Sequence, residues 1–294
     1  MRLVYLGTPD MAVPPLRALH DAGHDIALVV SGADKRRGRG GATSPSPVKA
    51  VALELGLPVT ADPDDVLAVA ADLGVVVAYG RIIRPHVLAH LPMVNLHFSL
   101  LPRWRGAAPV ERAILAGDDR TGVCVMAVEE TLDTGGVYAR AEVPIDDAVS
   151  ATDLRAELVR VGSSLLVDTL ARGLGRAEPQ SVDGVTYAEK LRADEFELHW
   201  AHPATEVQRV IRLGGAFTTF RDRRLKVLAV EVLAPGSEGV PGTGRVSLGD
   251  GPVVGCGDGG GVRLVTVQPE GKGPMEASAW ANGARPAPDE RLGP

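Results

Sequence analysis

The stretches Gly74-Val75-Val76-Val77-Ala78-Tyr79 and Val94-Asn95-Leu96-His97-Phe98 carry the reading of the fold. Both are short apolar-rich runs, and the first is apolar throughout, as a strand covered on both faces must be. Toward the N-terminus, residues 3–6 and 26–30 repeat the type. Between them the spacing of Val13, Leu16 and Leu19 places three apolar side chains on one face of a helix. Residues 48–55 read as a helix stopped by Gly56, and 66–73 as a second one stopped by Gly74. Short strands alternating with helices predict βαβ units and a parallel sheet. Toward the C-terminus, a helix at 110–115, strands at 123–128 and 137–145, and a long helix from about 153 to 170 complete this half.

The chain has 294 residues, 23% charged and 45% hydrophobic, with a net charge of −6. That composition is of a folded chain, and the length predicts about two domains. No apolar run reaches the roughly 18 residues of a membrane span, and the N-terminus does not read as a signal peptide, so a cytoplasmic protein is expected. Two distant cysteines, Cys124 and Cys256, do not make a disulfide framework. His86 and His90 are spaced i, i+4, but no third ligand accompanies them, so no metal is expected.

From 177 to about 203 the chain is less periodic and more polar, as a linker would be. Beyond it Gly and Pro become dense and short β-type runs appear at 225–233, 244–248, 253–255 and 262–267. Such a pattern predicts a small β-barrel or sandwich. The residues from Asn282 onward read as a frayed end.

Residues two apart in a strand share a face, so Asn95 and His97 project together. At the C-terminal end of a parallel strand they face the usual ligand crevice of open α/β sheets. An amide there suits a developing oxyanion, and an imidazole suits proton transfer. Asp133, in the Gly-bounded turn Leu132-Asp133-Thr134-Gly135, is a candidate to orient His97. On spacing alone, structural roles for these polar residues stand beside the catalytic one. Two basic clusters also need explaining: Lys35, Arg36, Arg37 and Arg39 in a Gly-rich loop over 32–47, and Arg221, Arg223, Arg224 and Lys226 further on. Gly7-Thr8-Pro9 is no dinucleotide fingerprint, and 257–261 lacks the Lys and Ser/Thr of a P-loop.

Asn95-Leu96-His97 with Ser99-Leu100-Leu101-Pro102, Arg103-Trp104-Arg105-Gly106-Ala107-Ala108-Pro109 and Leu132-Asp133-Thr134-Gly135 resembles the methionyl-tRNA formyltransferase family. Gly7-Thr8-Pro9-Asp10, Gly38-Arg39-Gly40, Thr186-Tyr187-Ala188-Glu189-Lys190-Leu191 and Gly215-Ala216-Phe217-Thr218-Thr219-Phe220 extend the likeness over nearly the whole chain, in the family's order. The resemblance implies an α/β fold: a Rossmann-like, mostly parallel formyltransferase domain over 1–187, a linker over 188–202, and a small OB-like β-barrel that binds tRNA over 203–294.

It also implies transfer of a formyl group from 10-formyltetrahydrofolate to the α-amino group of methionine on initiator tRNA, without a metal. Asn95 would bond the formyl oxygen, and His97 paired with Asp133 would stabilise the tetrahedral intermediate and move protons. Ser99, Leu100, Leu101 and Pro102 would contact the folate, with Tyr79 and Ile82 further candidates. Lys35, Arg36, Arg37 and Arg39 would engage the acceptor stem, and Arg221, Arg223, Arg224 and Lys226 the tRNA backbone. A monomer is the family expectation. Two departures stand out: Phe98 replaces a small residue, and 212–216 is a shortened block. Two other readings remain open, a formyl transferase acting on a small amine and a non-catalytic tRNA-binding protein built on the same scaffold.

Overall fold

The computed structural model describes residues 1–36, 43–249, 251–287 and 290–293. The chain divides into two compact units. The first comprises Met1–Val110, Asp119–Ile145 and Leu154–Lys190; the second comprises Glu111–Asp118, Asp146–Asp153 and Leu191–Pro294.

The first unit is built on a seven-stranded sheet. Arg2–Gly7 pairs in parallel with Asp25–Val30 on one side and Leu73–Val77 on the other. The first of these pairs in parallel with Val59–Thr60, and the second with Met93–His97. Arg120–Ala127 is antiparallel to Met93–His97 and to the edge strand Val137–Pro144. Every residue of Leu73–Val77 is buried, which explains its unbroken apolar run. Ser46 caps the helix Pro47–Glu54 by accepting from the Lys49 amide at 3.1 Å.

The helix expected over 66–73 does not form. A 3-10 turn spans Pro63–Ala68, capped by the Asp62 carboxylate, and Leu73 already belongs to a strand. The reason is tertiary: Asp72 N donates to Arg2 O at 2.8 Å and Arg2 N donates back to the Asp72 carboxylate at 2.7 Å. This reciprocal pair starts the sheet one residue before Leu73, so Gly74 is a strand residue and not a helix stop.

The long helix Ala151–Arg172 covers one face of the site strand. Gly162 lies against Leu96, whose side chain points opposite to Asn95 and His97. Phe98, likewise out of phase with His97, is buried.

The second unit is antiparallel. Its strands run in the order Phe217–Phe220, Arg223–Leu233, Gly261–Pro269, Val253–Gly255, Val246–Ser247, with Met275–Glu276 also on Gly261–Pro269. Register shifts between Val227 and Val230 bend the longest strand, as small curled sheets require. Leu225, Val227, Leu264 and Val267 form the core with Trp280 of the helix Ala277–Ala284, whose ring meets Phe220 edge-on at 5.2 Å. Among the described residues after Asn282, the chain is tied down rather than frayed. Leu292 is buried in this core, Leu292 N donates to Gly244 O at 2.9 Å, and Val246 N donates to Glu290 O at 2.8 Å. The stretch is polar in composition but completes the sheet's hydrogen bonding, which composition alone does not reveal.

Candidate active site

Asn95 and His97 sit at the C-terminal end of Met93–His97, opposite Met126 and Cys124 of the antiparallel neighbour. The strand stands where the sheet changes from parallel to antiparallel pairing. Asp133 reaches them from the turn that follows Arg120–Ala127. Its Oδ2 lies 3.7 Å from His97 Nδ1, and its Oδ1 lies 3.5 Å from Asn95 Nδ2. The His97 and Asp133 side chains are only 6% and 9% exposed, so their interaction is poorly screened by water. His97 Nε2 donates to the Trp104 carbonyl at 2.9 Å, so both ring nitrogens face oxygen acceptors.

The Asp133 carboxylate is itself held by a backbone donor, Gly106 N, at 2.8 Å. Asp133 has a left-handed backbone, with φ of 53°, a conformation that Asp tolerates better than most residues. Gly135 brings this turn against the neighbouring strand so closely that a Cβ would fall onto the Ala127 carbonyl. The Leu-Asp-Thr-Gly block is thus a backbone device that presents one carboxylate.

The segment Ser99–Pro102 runs on from the strand, and most of its side chains turn inward. The Ser99 hydroxyl, fully buried, donates to Arg103 O at 2.6 Å. Leu101 packs with Cys124, Met126 and Val137, and Leu100 occupies the space left by the missing side chain of Gly122. Arg103 N closes the turn by donating to Leu100 O at 3.1 Å. Trp104 follows with φ of 62°, which brings its carbonyl within 3.4 Å of the Ser99 hydroxyl as well as to His97. At the end of the adjacent strand, the Tyr79 hydroxyl is buried near Arg81, and burial raises its pKa. Ile82 is 86% exposed.

From 177 onward the composition is linker-like, yet several residues of this stretch, most of them within 1–187, belong to the site. Glu178 pairs with Val137 through two backbone bonds of 2.8 and 2.9 Å, and Tyr187–Ala188 forms a parallel pair with Arg105–Gly106. Gln180, between them, bonds to the Asp133 turn and to Arg105. Sequence reading missed it, because an isolated Gln in a polar stretch carries no periodic signal.

Of the basic loop, Lys35–Arg36 pairs antiparallel with Thr43–Ser44. Arg37 and Arg39 lie outside the described residues. The base of the loop is pinned by Lys49 on Asp34, at 2.8 and 2.9 Å, and by the contact of the Ser31 and Ser46 hydroxyls at 2.6 Å.

In the second unit, Arg221 and Asp222 form the tight turn of a hairpin, with φ of 49° and 60°. Arg221 grips both Glu290 oxygens at 2.7 and 2.8 Å. Arg224 lies 3.7 Å from the centre of the Phe217 ring. Arg224 and Lys226 alternate to the face opposite Leu225 and Val227, the outer one. Arg223 is exposed at the strand end.

A buried imidazole and carboxylate beside an amide, at the end of a mostly parallel sheet, suit acyl transfer to an amine. Residues 1–170 match the family profile described as "Formyl transferase", and residues 190–285 match "Formyl transferase, C-terminal domain". Among solved structures, an N-formyltransferase from Helicobacter canadensis, complexed with folinic acid and dTDP-3-aminofucose, superposes with a TM-score of 0.70 at 16% identity. That likeness covers 89% of this chain and 98% of the other. HypX from Aquifex aeolicus, in complex with tetrahydrofolic acid, gives a TM-score of 0.63 at 16% identity; 96% of this chain spans about half (47%) of HypX. At such identities the structures speak for the fold. Fold, site and profiles together define an enzyme of formyl transfer.

The closer relatives are more specific. The methionyl-tRNA formyltransferase of Roseobacter denitrificans is 45% identical over 302 residues, covering 97% of this chain and 96% of its own length. That of Symbiobacterium thermophilum is 43% identical, covering 96% and 92%. The chain belongs to the methionyl-tRNA formyltransferase family.

Proposed function

We propose that the chain transfers the formyl group of 10-formyltetrahydrofolate to the α-amino group of methionine on initiator tRNA, giving the N-formylmethionyl-tRNA used to begin translation. The supporting observation is the convergence of Asn95, His97 and Asp133 at one strand end.

The neutral amine attacks the formyl carbon, its C–N bond forms, and the carbonyl oxygen becomes an oxyanion. Collapse breaks the bond to the folate nitrogen, which leaves with a proton as tetrahydrofolate. Asn95 Nδ2 has a second N–H beyond the one directed at Asp133, and that N–H serves the oxyanion. With Nε2–H committed to the Trp104 carbonyl, His97 accepts the amine proton on Nδ1, where the Asp133 carboxylate stabilises the resulting imidazolium, and returns one from there to the leaving nitrogen. No metal takes part in this scheme.

The folate seat is formed by the backbone of Ser99, Leu100, Leu101 and Pro102, whose inward side chains make the turn rigid. The Tyr79 hydroxyl, buried at the neighbouring strand end near Arg81, is a further polar group for a ligand with polar edges. Lys35, Arg36, Arg37 and Arg39 approach the acceptor stem, and Arg221, Arg223, Arg224 and Lys226 follow the tRNA backbone, where cations position the phosphates, with Arg221, paired to Glu290, contributing least. In this reading 1–187 is the catalytic domain, 188–202 a linker and 203–294 the tRNA-binding domain. The enzyme works as a cytoplasmic monomer. Among the described residues no helix is long and apolar enough to cross a membrane.

The test is formyl transfer to methionyl initiator tRNA, with glycinamide ribonucleotide and an amino-sugar nucleotide as competing acceptors. Product on the tRNA alone is expected. Asn95→Ala should lower kcat by about 100- to 1,000-fold, the loss typical of one oxyanion donor, with tRNA affinity nearly unchanged. Turnover on a small amine alone would overturn the acceptor assignment, and wild-type turnover in His97→Ala would overturn the site.

A further inference from the structure

We propose that Gln180 is a positioning residue for the reaction, clamping the two backbone segments that fix the Asp133 carboxylate against His97; this rests on the reading of Asp133 given above. Gln180 falls between the two segments matched by the family profiles. The edge pairing of Glu178 with Val137 carries it to the Asp133 turn.

Its carboxamide has two N–H donors and an oxygen that accepts two bonds. All are used. Nε2 donates to the Asp133 carbonyl at 2.9 Å and to the Gly135 carbonyl at 2.8 Å. Oε1 accepts from Arg105 Nε at 3.0 Å and Nη2 at 2.7 Å. The two ends of this clamp hold different parts of one device. The turn bears the carboxylate, and the strand Arg105–Gly106 supplies the Gly106 amide that binds Asp133 Oδ2 at 2.8 Å. The turn holds Asp133 at φ of 53°, a left-handed backbone that even Asp adopts less readily than the ordinary regions, so contacts from outside the turn help to keep its shape. Gln180 bonds two of its carbonyls, beside the Thr134 hydroxyl on Thr131 O at 3.1 Å, the Gly106 amide on the Asp133 carboxylate and the Ala127 amide on Gly136 O at 2.8 Å.

The chemistry is specific to a carboxamide. Glutamate keeps two acceptors for Arg105 but offers no proton to the two carbonyls, whereas alanine loses both ends of the clamp. With the turn released, the carboxylate drifts from a ring nitrogen that it faces at only 3.7 Å. Misplacement by about 1 Å costs on the order of 100-fold in rate.

Gln180→Glu, Gln180→Ala, Asp133→Ala and the double variant Gln180→Ala/Asp133→Ala should be compared in the full-length enzyme. Thermal melting and single-turnover formylation of methionyl-tRNA would be measured across pH. Both Gln180 variants are expected to lose about 10- to 100-fold in kcat, with KM for either substrate within about 3-fold. Their pH profiles should be displaced in the same direction as that of Asp133→Ala. In the Asp133→Ala background, removing Gln180 should change kcat less than about 2-fold, because the group it positions is gone. Wild-type kcat in Gln180→Glu, or losses that multiply independently in the double variant, would overturn the positioning role. Wild-type turnover in Asp133→Ala would overturn the reading of Asp133 itself, and the proposal with it.

Discussion

A methyl group at position 106 would meet the Ala188 carbonyl at 2.8 Å, on a backbone whose φ is 121°. Glycine is required there by space and by conformation together, and the same residue donates to Asp133. Gly106→Ala is therefore expected to lower stability by about 1–3 kcal/mol and to depress kcat as well. Thermal melting and steady-state formylation of the one variant check both effects, and an unchanged kcat would separate the amide from catalysis. At this scale the sequence was already informative about Asn95 and His97, because alternation along a strand is a local rule. It could not place Gln180, whose partner in the turn is 47 residues away. Phe98 poses little difficulty once placed: it is buried and out of phase with His97.

Among the elements, the 3-10 turn Ala193–Phe196 shows how one ion pair can anchor a short piece of chain. Glu195 accepts from Arg112 at 2.5 and 3.1 Å and from the Arg192 amide at 2.9 Å. The Arg112 hydrogen bond is the largest influence holding its carboxyl below the ordinary value of 4.5. The folded state therefore binds this proton less readily than the unfolded chain. The stabilisation is complete above about pH 4.5 and is lost as pH falls through the lower folded value. Glu195→Gln should flatten the dependence of melting temperature on pH below about 4.5, and a slope equal to wild type would refute the assignment. The elements misjudged from sequence have one cause. The expected helix over 66–73 and the expected fraying after Asn282 both gave way to backbone pairing with distant strands, at Arg2 and at Gly244. Strands with long apolar runs, such as Leu73–Val77, were legible because burial on both faces leaves its mark on composition.

The whole molecule carries a net charge of −6, so affinity for a polyanion depends on where its cations stand. Lys226 and Arg224 lie on the outer face of their strand, whereas Arg221 is already neutralised by Glu290. Lys226→Gln is expected to weaken tRNA binding for initiator and elongator tRNA alike and to lower the slope of log affinity against log salt by about 1. Arg221→Gln should change that slope less and lower the melting temperature more. Filter-binding titrations over a salt series distinguish the two, and equal slopes in both variants would contradict the placement.

Strand and helix periodicity, the Gly- and Pro-dense second unit, and the ordered motifs are written in neighbouring residues, so the sequence alone determines them. The 3.7 Å approach of Asp133 to His97, the Gln180 clamp and the docking of Leu292 were decided only by the fold. Each depends on sheet register bringing together segments far apart in the chain, and no local pattern of residues encodes a long-range distance.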